Sequence, residues 1–373
     1  MTRDRELVAQ LLKDPTPKSM VFIDSTAGTS DPEGMASSRR THVREGMGQA
    51  GAPDADVEAM LEVMRQPTGV ADPSVRFAVV QNGELVMHKV VNGEMRSKEC
   101  IHHGPVIDAT PLLLQIPHEN LYFDVRVWRG GGDISVCAEG DREPVDTRHI
   151  EGDTSDINKV SAGRMAEAGI QRHTEEVWKH NQTDVAEQIT ALIAEHHPRV
   201  IFLSGDVRAV QLLSGQLSDQ AKHLLHVVPG EVDNEGASPE RVRHAIDVQL
   251  DAARRRRNRQ ILDDAAADNG SLQAVGIGAV VHALAQGQAE YVLLDHQEML
   301  QHSLLALDGE PWVATAPEDA LGAPVLEEIV STAAIVRAAV LTDARVRVVD
   351  PDEIGVGTGV VASLRWPVGP ERP

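Results

Sequence analysis

The sequence predicts an α/β protein of several domains, and three observations carry that prediction. At 373 residues the chain exceeds what one hydrophobic core ordinarily organises. Its last third alternates helical periodicity with short β-branched runs, the rhythm of an α/β/α sandwich. Its first two thirds hold two hairpin signals, Asn82-Gly83 and Gly130-Gly131-Gly132, each between runs of strand character. Cut at its turn-rich stretches, the chain divides into an α+β N-terminal domain at 1–118, a mixed-sheet α/β middle domain at 119–235 and an α/β/α sandwich C-terminal domain at 236–373.

In the first domain, residues 1–14 read as a charged amphipathic helix broken by Pro15 and Pro17, and Ser19–Asp24 as a buried strand. A stretch rich in Gly, Ser and Asp leads to Ser37–Arg44, where Arg39, Arg40, His42 and Arg44 form the first basic cluster. It is either a solvated helix face or a phosphate contact. Asp54–Arg65 is another amphipathic helix, and Arg76–Val80 and Glu84–Val91 are strands flanking the Asn-Gly turn. His102 and His103 precede a strand-like stretch to Ile116. Paired histidines suggest metal only when further ligands share their spacing, and none do.

In the middle domain Leu121–Trp128 and Asp133–Ala138 flank the glycine triplet, which lacks the lysine and following helix of a phosphate-binding loop. Ser161–Asn181 reads as a glycine-containing loop running into a long helix. Thr174 is its N-cap, and Glu175 and Glu176 lie in the first turn, where the helix dipole favours negative charge. Trp178, Val185, Ile189, Leu192 and Ile193 fall at helical spacing, and Pro198 ends the helix before the short apolar strand Arg199–Ser204. Ser204-Gly-Asp-Val-Arg208 at the end of that strand is a tight turn or, with Arg208 at a helix N-terminus, a phosphate holder. His173, Glu176 and His180 share a helix face but lack a fourth ligand, so no metal is expected.

The acidic linker Pro229–Ala237 precedes Ser238-Pro239-Glu240, a strong helix start, and the helix runs to about Ala267. Val242, Ile246, Leu250, Ala253, Ile261 and Leu262 form its inner side. Arg254, Arg255, Arg256, Arg257 and Arg259 form its outer side, either a solvated face or a contact with RNA or an acidic partner. There follow helix Ala279–Gln286 stopped by Gly287, strand Ala289–Leu294, helix Pro324–Leu341, strand Arg345–Val349 and strand Val360–Trp366. Gly355–Gly359 has the spacing of half a dinucleotide fingerprint, but no helix and distal acid follow, so no nucleotide cofactor is expected there.

The bulk numbers exclude several functions. A formal charge of −22 argues against generic DNA or RNA binding, which draws its affinity from neutralised phosphates, though local basic patches can still dock on RNA. Aromatics at 3% supply few stacking platforms. Cys100 and Cys137 stand outside any CxxC spacing. No run approaches the ~18 apolar residues of a membrane span, and the expected compartment is the cytoplasm.

The three-part order resembles the bacterial relatives of archaeal and eukaryotic class I release factors and Pelota. So do the phrases His173-Thr-Glu-Glu176, Ser204-Gly-Asp-Val-Arg208 and Ala338-Ala-Val-Leu-x-x-Ala-x-Val-x-Val-Val349. Within these the chain is most similar to the branch with the Balon-type ribosome hibernation factors. The resemblance implies a factor of the ribosomal A site, contacting 16S and 23S rRNA. Its first domain would face the decoding centre through Arg39, Arg40, His42 and Arg44. The middle-domain loop, with Gly163, Arg164, Gly169, Ile170, Gln171, Arg172 and His173, would face the peptidyl-transferase centre. The last domain would meet elongation factor Tu with its guanine nucleotide. Release factors carry Gly-Gly-Gln at that loop, and this chain has Gly169-Ile170-Gln171, whose β-branched Ile170 does not readily take glycine's φ > 0 conformations. The Asn-Ile-Lys-Ser signature of stop-codon reading is missing as well. The expectation is a hibernation factor that binds without releasing peptide, with no cofactor. The alternative is a rescue-type peptidyl-tRNA hydrolase or tRNA-cleaving factor that uses Gln171 with Arg164 or Arg172.

Overall fold

The computed structural model describes residues 2–27, 31–115, 121–138, 144–152, 164–228 and 239–367. They fall into two compact units, one built from 1–118 with 256–373 and one from 119–255. The protein is a mixed α/β structure with several sheets.

In chain order the first unit opens with α1 (Thr2–Lys13), β1 (Lys18–Asp24), α2 (Pro32–Gln49), α3 (Asp54–Arg65), β2 (Ser74–Gln81), β3 (Glu84–Asn92), β4 (Cys100–Gly104) and α4 (Thr110–Gln115). The strands form an antiparallel sheet of order β3-β2-β1-β4. The β2–β3 turn is the expected Asn-Gly hairpin, with Asn82 at φ +53° and Gly83 at +77°. Strand alternation in β1 serves two cores. Met20 and Phe22 join a core with Leu11, Leu12 and Phe77, while Val21 and Ile23 join Val43, Met47, Met60 and Leu61 of α2 and α3. Residues 110–115 are helical rather than strand. Pro111 sits in the first turn, where its missing N–H costs nothing, and the Asp108 carboxylate accepts from Thr110 N at 2.9 Å.

The second unit contains β5 (Leu121–Trp128), β6 (Gly131–Ala138), β7 (Asp146–Glu151), α5 (Arg164–His196), β8 (Val200–Gly205), α6 (Val207–Gln216), α7 (Asp219–Leu224) and β9 (Leu225–Val227), followed by the start of α8 (Pro239–Gly270). Its sheet has the order β7-β6-β5-β8-β9, with β5, β8 and β9 mutually parallel where they pair. Phe123, Val125 and Val127 face Val185, Ile189, Leu192 and Ile193 of α5. On the other face Val200 and Phe202 pack with Leu250 and Ile246 of α8, and Tyr122 meets Phe202 edge-on at 5.7 Å. The polar strand β7 and the three-residue β9 carry too little apolar alternation to be seen in the sequence.

The first unit closes with the rest of α8, β10 (Gln273–Val275), α9 (Ile277–Ala285), β11 (Ala289–Asp295), α10 (His296–Met299), β12 (Ser303–Leu307), β13 (Val313–Ala314), β14 (Val325–Val330), α11 (Ser331–Leu341), β15 (Arg345–Val349), α12 (Pro351–Ile354) and β16 (Val360–Leu364). One sheet has the order β10-β16-β11-β15, and a smaller one, not anticipated from the sequence, has the order β13-β12-β14. The helix expected over Pro324–Leu341 begins only at Ser331. Val325–Val330, rich in β-branched residues, pairs with β12 instead.

Buried cations tie helix ends in this unit. Arg337, 1% exposed, donates to Leu12 O at 3.0 Å and Leu307 O at 2.8 Å. Lys18 donates to Asp14 O and, at 2.6 Å, to Thr16 O. Arg76 donates to Val63 O and, at 2.7 Å, to Gln66 O. Carbonyls left over where α1 and α3 end are thus satisfied inside the protein.

Candidate functional site

In the second unit a polar rim forms where the parallel strands β5 and β8 end. Open α/β sheets present their ligand-facing loops at this edge. Gly205 closes β8 at φ +130°, and a Cβ there would lie 1.9 Å from Val127 O, so only glycine lets the strands end this close together. Asp206 follows as the N-cap of α6, its carboxylate accepting from Arg208 N at 2.9 Å and Ala209 N at 3.1 Å. The same carboxylate meets Arg129 Nε at 3.2 Å, and the Arg129 guanidinium lies 4.6 Å from the Trp178 ring centroid. Helix α5 is fixed on this rim by Gln182, which donates to Trp128 O at 2.8 Å, and by Asn181, which donates to Arg129 O at 3.3 Å.

Arg208 is part of that rim but is already engaged, bonding Glu175 at 2.9 Å and Gln211 at 3.4 Å. The Ser204–Arg208 phrase therefore serves as strand end, cap and ion pair. In the sequence Trp178 reads only as an apolar helix position and Asp206 only as part of the Ser204–Arg208 phrase, and Arg129 is not marked. Of the three, only Asp206, a capping residue just before an apolar periodic run, left a signal there.

The expected loop at 161–173 needs correction. Gly163 lies outside the described residues, but from Arg164 the backbone is already helical and continues to His196. Thr174 is not the N-cap. Arg164, Met165, Ala166, Glu167, Ala168, Gln171 and Arg172 are strong or fair helix formers, and Gly169 costs only about 1 kcal/mol against them. Gly169, Ile170, Gln171, Arg172 and His173 are thus helical positions, with side chains outside the described set. In an α-helix the N–H of Gln171 is committed to the carbonyl of Glu167 four residues back.

The first basic cluster lies on α2, beside an open cleft of about 520 Å³ lined by Asp24, Asp31, Arg39, His42 and Glu99 among others. Arg39 donates to Thr26 O at 2.9 Å, His42 meets Glu99 at 3.1 Å and Arg44 meets Glu58 at 3.2 Å. Arg40 has no described partner. The second cluster, on α8, is divided. Arg254 and Arg255 both bind Asp251, at 2.6 and 3.2 Å, and hold its carboxyl below the usual range even though burial pushes it up. Arg257 bonds Gln260 at 3.2 Å, and Arg256 and Arg259 are exposed.

The paired histidines sit on β4 and, as neighbours on a strand, point to opposite faces: His102 to Glu327 at 3.1 Å, His103 to the Ser19 hydroxyl at 2.9 Å. That hydroxyl also bonds the buried Asp56 at 2.6 Å. Among the described residues no group of three or more His, Cys, Asp or Glu is placed to hold a metal ion. No helix among them is long and apolar enough to cross a membrane.

Residues 122–271, which include this rim, α5 and all of α8, match the model of bacterial archaeo-eukaryotic release factor family 2. Over that span, which holds two of the three sequence phrases, the chain is similar to these factors. No curated protein matches the chain. Among solved structures it is similar to one chain of an assembly of ribosome-bound archaeal Pelota and ABCE1, with 13% identity, 98% of this chain and 94% of that chain covered, and a TM-score of 0.39. It is also similar to Pelota of Archaeoglobus fulgidus (11%, 79% and 80%, 0.35) and to Dom34 of S. cerevisiae, a translation termination-like factor (11%, 80% and 82%, 0.38).

Proposed function

From this relation to the bacterial archaeo-eukaryotic release factors, we propose that the protein is a ribosome-associated factor of the hibernation type, as in the Balon branch. It occupies the A site with its first domain towards the decoding centre and the start of α5 towards the peptidyl-transferase centre. Its last domain meets elongation factor Tu, and no peptide is released.

The observation that carries the non-catalytic part is the helix through Gly169-Ile170-Gln171. Release chemistry of the Gly-Gly-Gln kind needs a backbone N–H aimed at a developing oxyanion. A helical N–H at Gln171 is occupied by the intrahelical bond, and Ile170 adds a branched side chain where the family has glycine. A rigid helix reaching the same place blocks it instead.

The test is co-sedimentation with vacant ribosomes at two salt concentrations, with and without elongation factor Tu carrying GDP, together with a peptidyl-tRNA hydrolysis assay. Salt-sensitive pelleting, strengthened by the factor and lost when A-site tRNA is present, is expected. Gln171→Ala should leave pelleting unchanged, with no hydrolysis before or after the substitution. Turnover by the parent that disappears in Gln171→Ala would assign the rescue hydrolase instead, and absence of pelleting in every condition would remove the ribosomal reading.

A further inference from the structure

The arginines of α8 that lie in the first unit surround a single phenol. Tyr291 of β11 is 7% exposed, and its hydroxyl accepts from Arg345 Nη1 at 2.8 Å. Arg257 reaches the same hydroxyl from α8. The guanidinium carbons of Arg345 and Arg347 on β15 stand 5.4 and 5.8 Å from the ring centroid, and Arg347 also donates to Asn258 at 3.2 Å. The Arg257 Nε is buried without a hydrogen-bond partner. Ile261 packs inward beside Tyr291, so the residues at 256 and 259, on the opposite side of the helix by its period of about 100° per residue, face out. Both are exposed and, among the described residues, neither has an ion pair or hydrogen bond. The helix thus holds one guanidinium inward, at the phenol of Tyr291, and presents two unpaired guanidiniums outward.

We infer that Arg256 and Arg259, on the outer face of α8 opposite the inward cluster of Arg257, Arg345 and Tyr291, form a binding surface for the phosphate backbone of RNA. Guanidinium forks match phosphate oxygens two at a time, and free forks one helical turn apart can take neighbouring phosphates. A protein partner would be expected to find an apolar anchor here. Between Arg256 and Ala267 no large apolar side chain is exposed, so the recognition is electrostatic. Arg254 and Arg255 are outside the surface because both are engaged by Asp251. The choice of RNA over another polyanion rests on the ribosomal reading above; the presence of an anion surface does not.

The experiment measures binding of the full chain to a labelled duplex RNA by fluorescence anisotropy over a salt series, with polyglutamate as the competing probe. Arg256→Glu/Arg259→Glu should weaken RNA binding at least tenfold at low salt and flatten the log–log salt slope by about 1.8, two phosphate contacts' worth, with an unchanged thermal melt. Arg254→Glu/Arg255→Glu should weaken it less than threefold. An unchanged affinity and slope in the first variant, no RNA binding by the parent, or polyglutamate held as tightly as RNA would each overturn the proposal. Ribosome pelleting separates it from the reading above. If parent and variant pellet alike while RNA affinity is unchanged, the arginine surface falls and the ribosomal reading stands. If the parent does not pellet but the variant loses RNA affinity, the surface stands and the ribosomal reading falls.

Discussion

Helices α2 and α8 both carry dense arginine runs, and the fold treats them in opposite ways. On α2 three of the four basic residues are met by groups from elsewhere in the chain, Thr26 O for Arg39, Glu99 for His42 and Glu58 for Arg44, and Arg40 has no described partner. On the first-unit part of α8, Arg257 meets two further arginines around Tyr291, while Arg256 and Arg259 meet nothing described. A count of arginines would rank the two runs together. What separates them is which acids the fold delivers, since exposed ion pairs are weak but still compete with an incoming phosphate.

The largest effect that tests this contrast is on RNA affinity. Reversing Arg256 and Arg259 should cost at least tenfold, whereas Arg39→Glu/Arg40→Glu should cost about threefold in the same anisotropy titration. Equal losses would erase the distinction. Next comes stability: Tyr291→Phe removes the acceptor shared by Arg345 and Arg257 and should lower the unfolding free energy by about 1 kcal/mol in urea. Arg44→Ala on α2 should change it by less than ~0.5 kcal/mol, since its pair with Glu58 is exposed on both sides.

A spectroscopic test uses the protein's two tyrosines. Burial pushes the Tyr122 phenol well above its ordinary 10.0. Burial acts in the same direction on Tyr291, but the hydrogen bonds and charges of Arg345 and Arg257 outweigh it and bring that phenol below 10.0. Tyrosinate absorbance should therefore rise in two steps on either side of pH 10, and Arg345→Gln should move the lower step up. For stability the sign is as follows. Tyr291 ionises more readily folded than unfolded, so its contribution is present above pH 10, is lost as pH falls through the folded value and is absent at pH 7. A single step at pH 10 would show that the arginines do not act on the phenol. The smallest effect is a gain: Glu99→Gln releases His42 from its carboxylate and should raise RNA affinity about twofold, bringing α2 closer to α8.

Much of the fold was legible in local pattern. The Asn82-Gly83 hairpin, the helix Asp54–Arg65, the helix over Ala279–Gln286 and the strands Ala289–Leu294 and Arg345–Val349 depend on periodicity and turn chemistry, which neighbouring residues determine. Where strand and helix compete in a short apolar run, as at Val325–Val330, pairing with β12 decided the outcome, and that partner is distant in sequence. The reverse holds at Arg164–His173, where Gly169 and small residues predict a loop but the surrounding helix formers prevail. The candidate sites divide in the same way. Arg39–Arg44 and Arg254–Arg259 were visible as runs, but the rim of Arg129, Trp178 and Asp206 joins residues up to 77 positions apart.

The sequence alone determined the α/β class, most element positions, the two arginine runs and the substitution of Ile170 into the glutamine motif, because each is a matter of composition or short-range spacing. Only the tertiary structure decided which arginines are free. A guanidinium's availability depends on the carboxylates and carbonyls within about 4 Å, and for Arg39, Arg44, Arg208 and Arg257 those partners come from other elements of the fold.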